Sequence, residues 1–198
     1  MILAMEPTST PLDRREAVLE AFFAIVATRG LESASFRAVA DEAGVSLGTV
    51  QHYFRSRDEL LAATYAEVLR RIRARVAAIA GQGDARERVR RVLLELLPLD
   101  AVRRDECVIH LAFASVAPTK PALQQIEVEG LDELRSGLAQ LVMQLDGRDA
   151  DDATRLAHAL AATADGLALH AVSTGTAIPE TLVTVLDGVL EHLLPPGA

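Results

Sequence analysis

Residues Ser35 to Leu61 run SFRAVADEAGVSLGTVQHYFRSRDELL: two short helical segments divided by a glycine, then a third that opens on its own cap. Gly44 makes the division, because a sharp turn between helices needs positive φ, where a Cβ would clash. Ala40 is small enough for the two segments to cross closely, and Val45 fills the gap beneath the turn. Ser46 caps the second segment, which extends to about Phe54. Ser56 and Glu59 stand three apart, the spacing at which a hydroxyl and a carboxylate reciprocally satisfy free amides at a helix start. The register is that of a helix-turn-helix whose second member is a recognition helix.

Outward from this motif the chain reads as helical throughout. Apolar residues recur at spacings of three and four, and no segment shows the alternation of a half-buried strand. Upstream, Thr10 caps and Pro11 opens a helix over 11–29, with Val18, Phe22 and Ile25 as its buried stripe and Gly30 at its close. Downstream, Leu61, Tyr65, Val68, Ile72, Val76 and Ile79 stripe a long arm that ends at Gly81-Gln82-Gly83. The composition then turns Leu- and Ala-rich. Helices are expected over 84–97, 100–117, 121–145, 150–173 and 179–194, punctuated by Pro98, Pro118, Pro121, Asp146-Gly147, Gly175, Pro179 and Pro195-Pro196. The expected fold is all-α: a three-helix helix-turn-helix domain over 1–56, a connecting arm helix over 57–83 and a second helical domain over 84–198.

The 198 residues are 50% hydrophobic but 4% aromatic, with no Trp, so the core is built from Leu, Val, Ile and Ala. A single cysteine, Cys107, excludes a disulfide framework and a multi-thiolate metal site. With no HExxH motif either, no metal and no cofactor is expected. No secretory leader pattern and no run of about 18 apolar residues occurs, so a cytoplasmic protein without a membrane partner is expected. The net charge of −8 is unevenly placed: −3 over residues 1–60, +5 over 61–91 and −10 over 92–198. Between Ala43 and Arg57 there is no acidic residue, so one face of the first domain is free of carboxylates. Gly44-Val45-Ser46-Leu47-Gly48 also fits the G-x-S-x-G of a hydrolase elbow, with Asp165 and His170 following in order. That elbow needs a strand entering the turn, and the residues before Ser46 are helical, so no catalytic residue and no enzyme is expected.

The recognition helix presents its N-terminal residues Leu47, Gly48 and Thr49 first, with Gly48 permitting close backbone approach. Thr49, Gln51, His52 and Tyr53 are then the side chains available to base edges or phosphates, Gln being suited to adenine. The stretch resembles the DNA-binding domain of the TetR family of bacterial transcriptional regulators: AGVS, a following Gly-Thr, an aromatic-Phe pair and a basic residue at the next helix start recur together over about residues 12–65. The resemblance implies DNA contacts from Arg37, Thr49, Gln51, Tyr53 and Arg57. Gln51 stands where the family usually has Tyr, which leaves the bound sequence open, and Arg57 where Lys is usual, which keeps a phosphate contact.

The later stretches ELLPLDAVRRDECVIHLAFA and ADGLALHAV are similar to the C-terminal domain of the BetI-type subgroup, which includes choline-responsive repressors. The helix over 100–117 contains the run VIHLAFASVA, apolar all round, so it is expected to be buried on every side and to carry Cys107 and His110 inward, either as satisfied core groups or as cavity lining. Cys107, His110, Phe113, Asp165 and His170 are the expected ligand contacts. Phe113 is the only aromatic residue after Tyr65, too few rings for the cage that usually holds a quaternary ammonium. In the helix over 150–173 both faces are expected to be buried, one in its own domain and one against a second subunit. Arg70, Arg71, Arg73 and Arg75 are expected on a solvated outer face. The expectation is thus a homodimer that binds a palindromic operator in double-stranded DNA and is released by a small, mainly apolar effector. The rival reading is a ligand-binding or interaction module without DNA binding.

Overall fold

The computed structural model describes residues 11–145, 148–176 and 178–194. Thr10, Asp146-Gly147 and Pro195-Pro196, assigned above to helix ends, lie outside them. Contacts divide the chain into two compact units, one through Thr64 and one from Tyr65 on.

In the first unit α1 (Pro11–Arg29) buries Val18, Phe22 and Ile25 completely. It ends at Gly30, whose φ of 81° and ψ of 162° only glycine adopts readily. A 3₁₀ turn, Leu31–Ser33, follows. Ser35 then caps α2 (Phe36–Ala43), accepting from the Ala38 amide at 3.2 Å. Gly44 sits at φ 65°, ψ 31°, the left-handed conformation the motif demands. Ser46 caps α3 (Leu47–Tyr53), its hydroxyl accepting from the Thr49 amide at 3.1 Å. The three helices contact one another pairwise, with Val39, Ala40, Val50 and Phe54 buried between them. α4 (Arg57–Ile79) begins in this unit and continues into the second. Ser56 accepts from the Glu59 amide as expected, but the Glu59 carboxylate reaches the amide of Arg55, one residue earlier than a capping box requires.

The second unit holds the rest of α4, then α5 (Ala85–Leu94), α6 (Ala101–Val116), a 3₁₀ turn Ala117–Thr119, α7 (Pro121–Val142), α8 (Ala150–Thr174) and α9 (Pro179–Leu193). Asp84, Asp100 and Asp149 cap α5, α6 and α8, each accepting an amide three residues on at 2.8 Å. Part of the acidic excess of this region is therefore spent on helix starts. α5 ends three residues before the expected boundary, because residues 95–97 tighten into turns ahead of Pro98.

α8 packs along α7 and against α5, α6 and α9. Its alanines 153, 157, 161, 164, 168 and 171 are buried in the unit's own core with Leu138, Leu160, Leu186 and Leu190. These small residues let neighbouring helices of the same chain approach closely. The other face of α8, including His158, Ala162, Leu169 and His170, is exposed in the single chain. Nor is α6 buried on every side: Val102 is 59% exposed. Among the described residues no helix is long and apolar enough to cross a membrane, and no cluster of His, Cys, Asp and Glu forms a metal-ligating group.

Candidate functional site

The first candidate lies on α2 and α3. Val50 points inward and anchors α3, which leaves Gln51 and His52 exposed, with Thr49 and Tyr53 half-buried beside them. Leu47 is half-buried, and Gly48 and Arg37 are exposed. The His52 and Tyr53 rings meet edge to face at 5.1 Å, and the Thr49 hydroxyl bonds the Ser46 hydroxyl at 2.9 Å. A Cβ added at Gly48 would meet nothing closer than the Ser46 hydroxyl at 3.7 Å, so the chain's own packing does not require glycine there. Arg57 is half-buried: its Nη2 donates to the Leu31 carbonyl and stands 3.6 Å from Glu32, tying the start of α4 to the 3₁₀ turn. Arg29 pairs with Glu42 at 2.8 Å, occupying one of the carboxylates on α2.

The second candidate is a cavity of about 510 Å³ within the second unit, walled by α4, α5, α6, α7 and α8. Its lining is mostly aliphatic, from Leu69, Ile72 and Val76 on α4 and Leu131, Leu134, Leu138 and Leu141 on α7. The polar groups fall into two sets. One set is ion-paired: Arg75 holds Glu106 through two bonds of 2.6 and 3.1 Å and Glu95 at 2.7 Å, and Arg73 holds Glu133 at 2.5–2.9 Å. Glu106 is 3% exposed, so its charge depends on Arg75. The expectation of a solvated arginine face fails for Arg75, which is half-buried, whereas Arg73 stays exposed while it pairs with Glu133. Arg70 and Arg71 instead pair with Glu67 on their own helix.

The other polar set surrounds Tyr65, whose hydroxyl shares a hydrogen bond of 2.9 Å with His110 Nδ1. Phe113 is completely buried and stacks on Tyr65 at 4.1 Å, so it backs the cavity wall and does not line it. Burial pushes the Tyr65 phenol up, and the neighbouring carboxylates Glu127 and Asp165 push it further, so the ring stays neutral. Burial likewise raises the Asp165 carboxyl above the ordinary aspartate value, opposed by His110 and Arg135. Cys107 lines the cavity beside them; its thiol donates to the Leu96 carbonyl at 3.4 Å, and burial pushes it up to about 12.

Cys107, His110 and Asp165 are thus brought together as expected, with Phe113 one layer behind. His170 is not with them. It follows Asp165 by five residues, about 140° around a helix, and lies on the exposed face of α8. Sequence reasoning missed Arg73, Arg75, Glu95, Glu106, Glu127 and Glu133. The one local signal was Glu106, a charge at the edge of an apolar helix that is costly to bury without a partner.

Residues 18–64 match the family pattern for bacterial regulatory proteins, tetR family, and residues 85–195 match that for the C-terminal domain of BetI-type transcriptional repressors. The chain belongs to the TetR family of bacterial transcriptional regulators. Among TetR-family relatives, the HTH-type transcriptional regulator PksA of Bacillus subtilis is 35% identical over 164 residues, 80% of this chain and 78% of its own. BetI of Rhizobium meliloti is 30% identical over 198 residues, 98% of this chain and 94% of its own. The crystal structure of a transcriptional regulator from Rhodococcus superposes with a TM-score of 0.84 at 36% identity, covering 91% of this chain and 95% of that one. A regulator from Saccharomonospora viridis, solved in complex with choline, superposes with a TM-score of 0.81 at 25% identity over 91% of this chain and 97% of its own. The protein is therefore a regulator of transcription, and its relatives are named as regulators, not enzymes.

Proposed function

We propose that the protein is a repressor that holds a palindromic operator as a homodimer, one α3 in each major groove, and leaves it when a small, mainly apolar effector fills the cavity of the second unit. The observation that carries this reading is the exposure of Gln51 and His52 on a short helix whose preceding turn and caps are all in place. Gly48 supports it: a glycine in a helix costs up to about 1 kcal/mol against alanine and has no packing reason here, which fits close approach to a backbone outside the chain. Base reading falls to Thr49, Gln51, His52 and Tyr53, with Leu47 and Gly48 at the groove entrance. Arg37 and Arg57 take phosphates; the bond to Leu31 engages one nitrogen of the Arg57 guanidinium, which has five N–H donors.

One α3 of seven residues reads only a few base pairs, so a two-fold pair on a palindrome supplies the affinity. The exposed apolar residues Leu169 on α8 and Val185 on α9, each 44% exposed, favour these two helices as the subunit contact. Effector action runs through α4, which carries Tyr65, Ile72 and Val76 on the cavity wall and begins at Arg57. A ligand that displaces this wall moves the helix and changes the spacing of the paired α3 helices. An effector that binds the DNA-free form about 100-fold better shifts the equilibrium by ~2.7 kcal/mol. Titrating an operator complex, selected from a duplex library, with apolar metabolites tests this. Release by at least one compound, with two chains per duplex beforehand, is the expected result; an affinity that no compound changes makes the protein a constitutive binder.

A further inference from the structure

Four carboxylates line the cavity: Glu95, Glu106, Glu133 and Asp165. The first three hold arginines at 2.5–2.7 Å. Among the described residues Asp165 has neither a hydrogen bond nor an ion pair; the groups that act on it electrostatically are His110, whose Nδ1 is engaged by Tyr65, and Arg135. Beside it, Glu127 acts on the same Tyr65 hydroxyl, and its Oε2 is buried with no hydrogen-bond partner. Arg135, which acts on Asp165 without bonding it, has its own Nε buried with no hydrogen-bond partner and faces Asp132 at 4.0 Å. A desolvated carboxylate without a donor is costly unless something entering the site supplies one.

We propose that the cavity takes an apolar molecule ending in one protonated amine, whose N–H groups donate to Asp165 while its hydrocarbon body lies among the leucines of α7. This assignment rests on the effector reading above and names the chemistry of that site. A fully methylated ammonium is the poorer fit. It has no N–H to offer Asp165, and Tyr65, already covered on one side by Phe113, is the only aromatic carbocycle among the lining residues. A carboxylate ligand would add a third negative charge, and a neutral alcohol would forgo the stronger, charge-assisted bond.

Calorimetry on the full chain with four matched probes tests the assignment: 4-phenylbutylamine, its N,N,N-trimethyl derivative, 4-phenylbutan-1-ol and 4-phenylbutyrate. The amine is expected to bind at least about tenfold more tightly than the other three. Asp165→Asn is expected to bring the amine down to the level of the alcohol and leave alcohol binding unchanged, which also shows that the variant is folded. Equal binding of the alcohol, acid or trimethyl compound, an amine preference that survives Asp165→Asn, or no binding by any probe overturns the assignment. Operator release measured in parallel separates it from the reading beneath. Release by the acid or alcohol and not the amine overturns the assignment and leaves effector control standing. Asp165-dependent amine binding that leaves the operator complex intact upholds the ligand class and removes the effector role.

Discussion

The two units keep their chemistry in opposite places. In the unit through Thr64 the informative side chains, Gln51 and His52, are exposed and adjacent, and what orients them is local: a glycine at 44 and caps three residues from the amides they satisfy. In the unit from Tyr65 on they are turned inward, and what fixes them is distant. Arg75 and Glu106 are 31 residues apart, Tyr65 and His110 are 45, and Arg73 and Glu133 are 60. A surface that reads another molecule tolerates few changes but needs little from the rest of the fold, whereas a cavity exists only while its walls are held apart by partners from several helices.

The largest effect should come from the walls. Arg75→Met strands Glu106 in an apolar setting and should cost about 3 kcal/mol in urea unfolding, with much of the loss recovered in the Arg75→Met, Glu106→Leu double variant. A loss below 1 kcal/mol would mean that the ion pairs do not hold the cavity. Next comes the turn. Gly44→Ala forces a Cβ into the left-handed region and should cost roughly 1–2 kcal/mol, read as a lower melting midpoint. Gly48→Ala should do the reverse: no loss of melting temperature, because the site has room, but operator affinity about tenfold weaker, a single base contact being worth ~1–3 kcal/mol. If both glycines behave alike, the separation of folding from reading within the motif is lost.

The smallest effect concerns acid. Two hydrogen bonds from Arg70, with a third from Arg71, hold the Glu67 carboxyl at about 2, below its ordinary 4.5. A lowered carboxyl contributes stability above the unfolded value that disappears as pH falls toward the folded one. Glu67→Gln should therefore slightly lower the melting temperature at pH 7, a difference that disappears as pH falls from about 4.5 toward about 2. The effect is small because the pair lies at the surface, with Arg70 exposed and Glu67 half-buried.

What could be read from the chain follows the same division. The helix order, the turn at Gly44, the cap at Ser46 and the inward residues Val18, Phe22 and Ile25 were all legible, because each is set by residues a few positions apart. Cys107, His110 and Asp165 were legible as groups needing a setting, since an apolar helix does not carry polar residues without one. His170 was misplaced because its part of α8, expected to be buried, is exposed in the chain. Arg75 was taken as solvated because its partners, Glu95 after α5 and Glu106 on α6, are invisible to local spacing. Glu59 shows the limit at close range: a spacing predicts that a carboxylate turns back toward the helix start, but not which of two neighbouring amides it reaches.

The central claim is that α3 enters duplex DNA, once from each chain of a pair. Operator affinity measured against salt concentration, with the number of chains per duplex fixed by sedimentation, tests it most directly. Two chains per site and a straight fall of log affinity with log salt are the predicted result, the slope growing shallower by about one unit per phosphate contact removed, as in Arg57→Ala. One chain per site, or an affinity indifferent to salt, would contradict it.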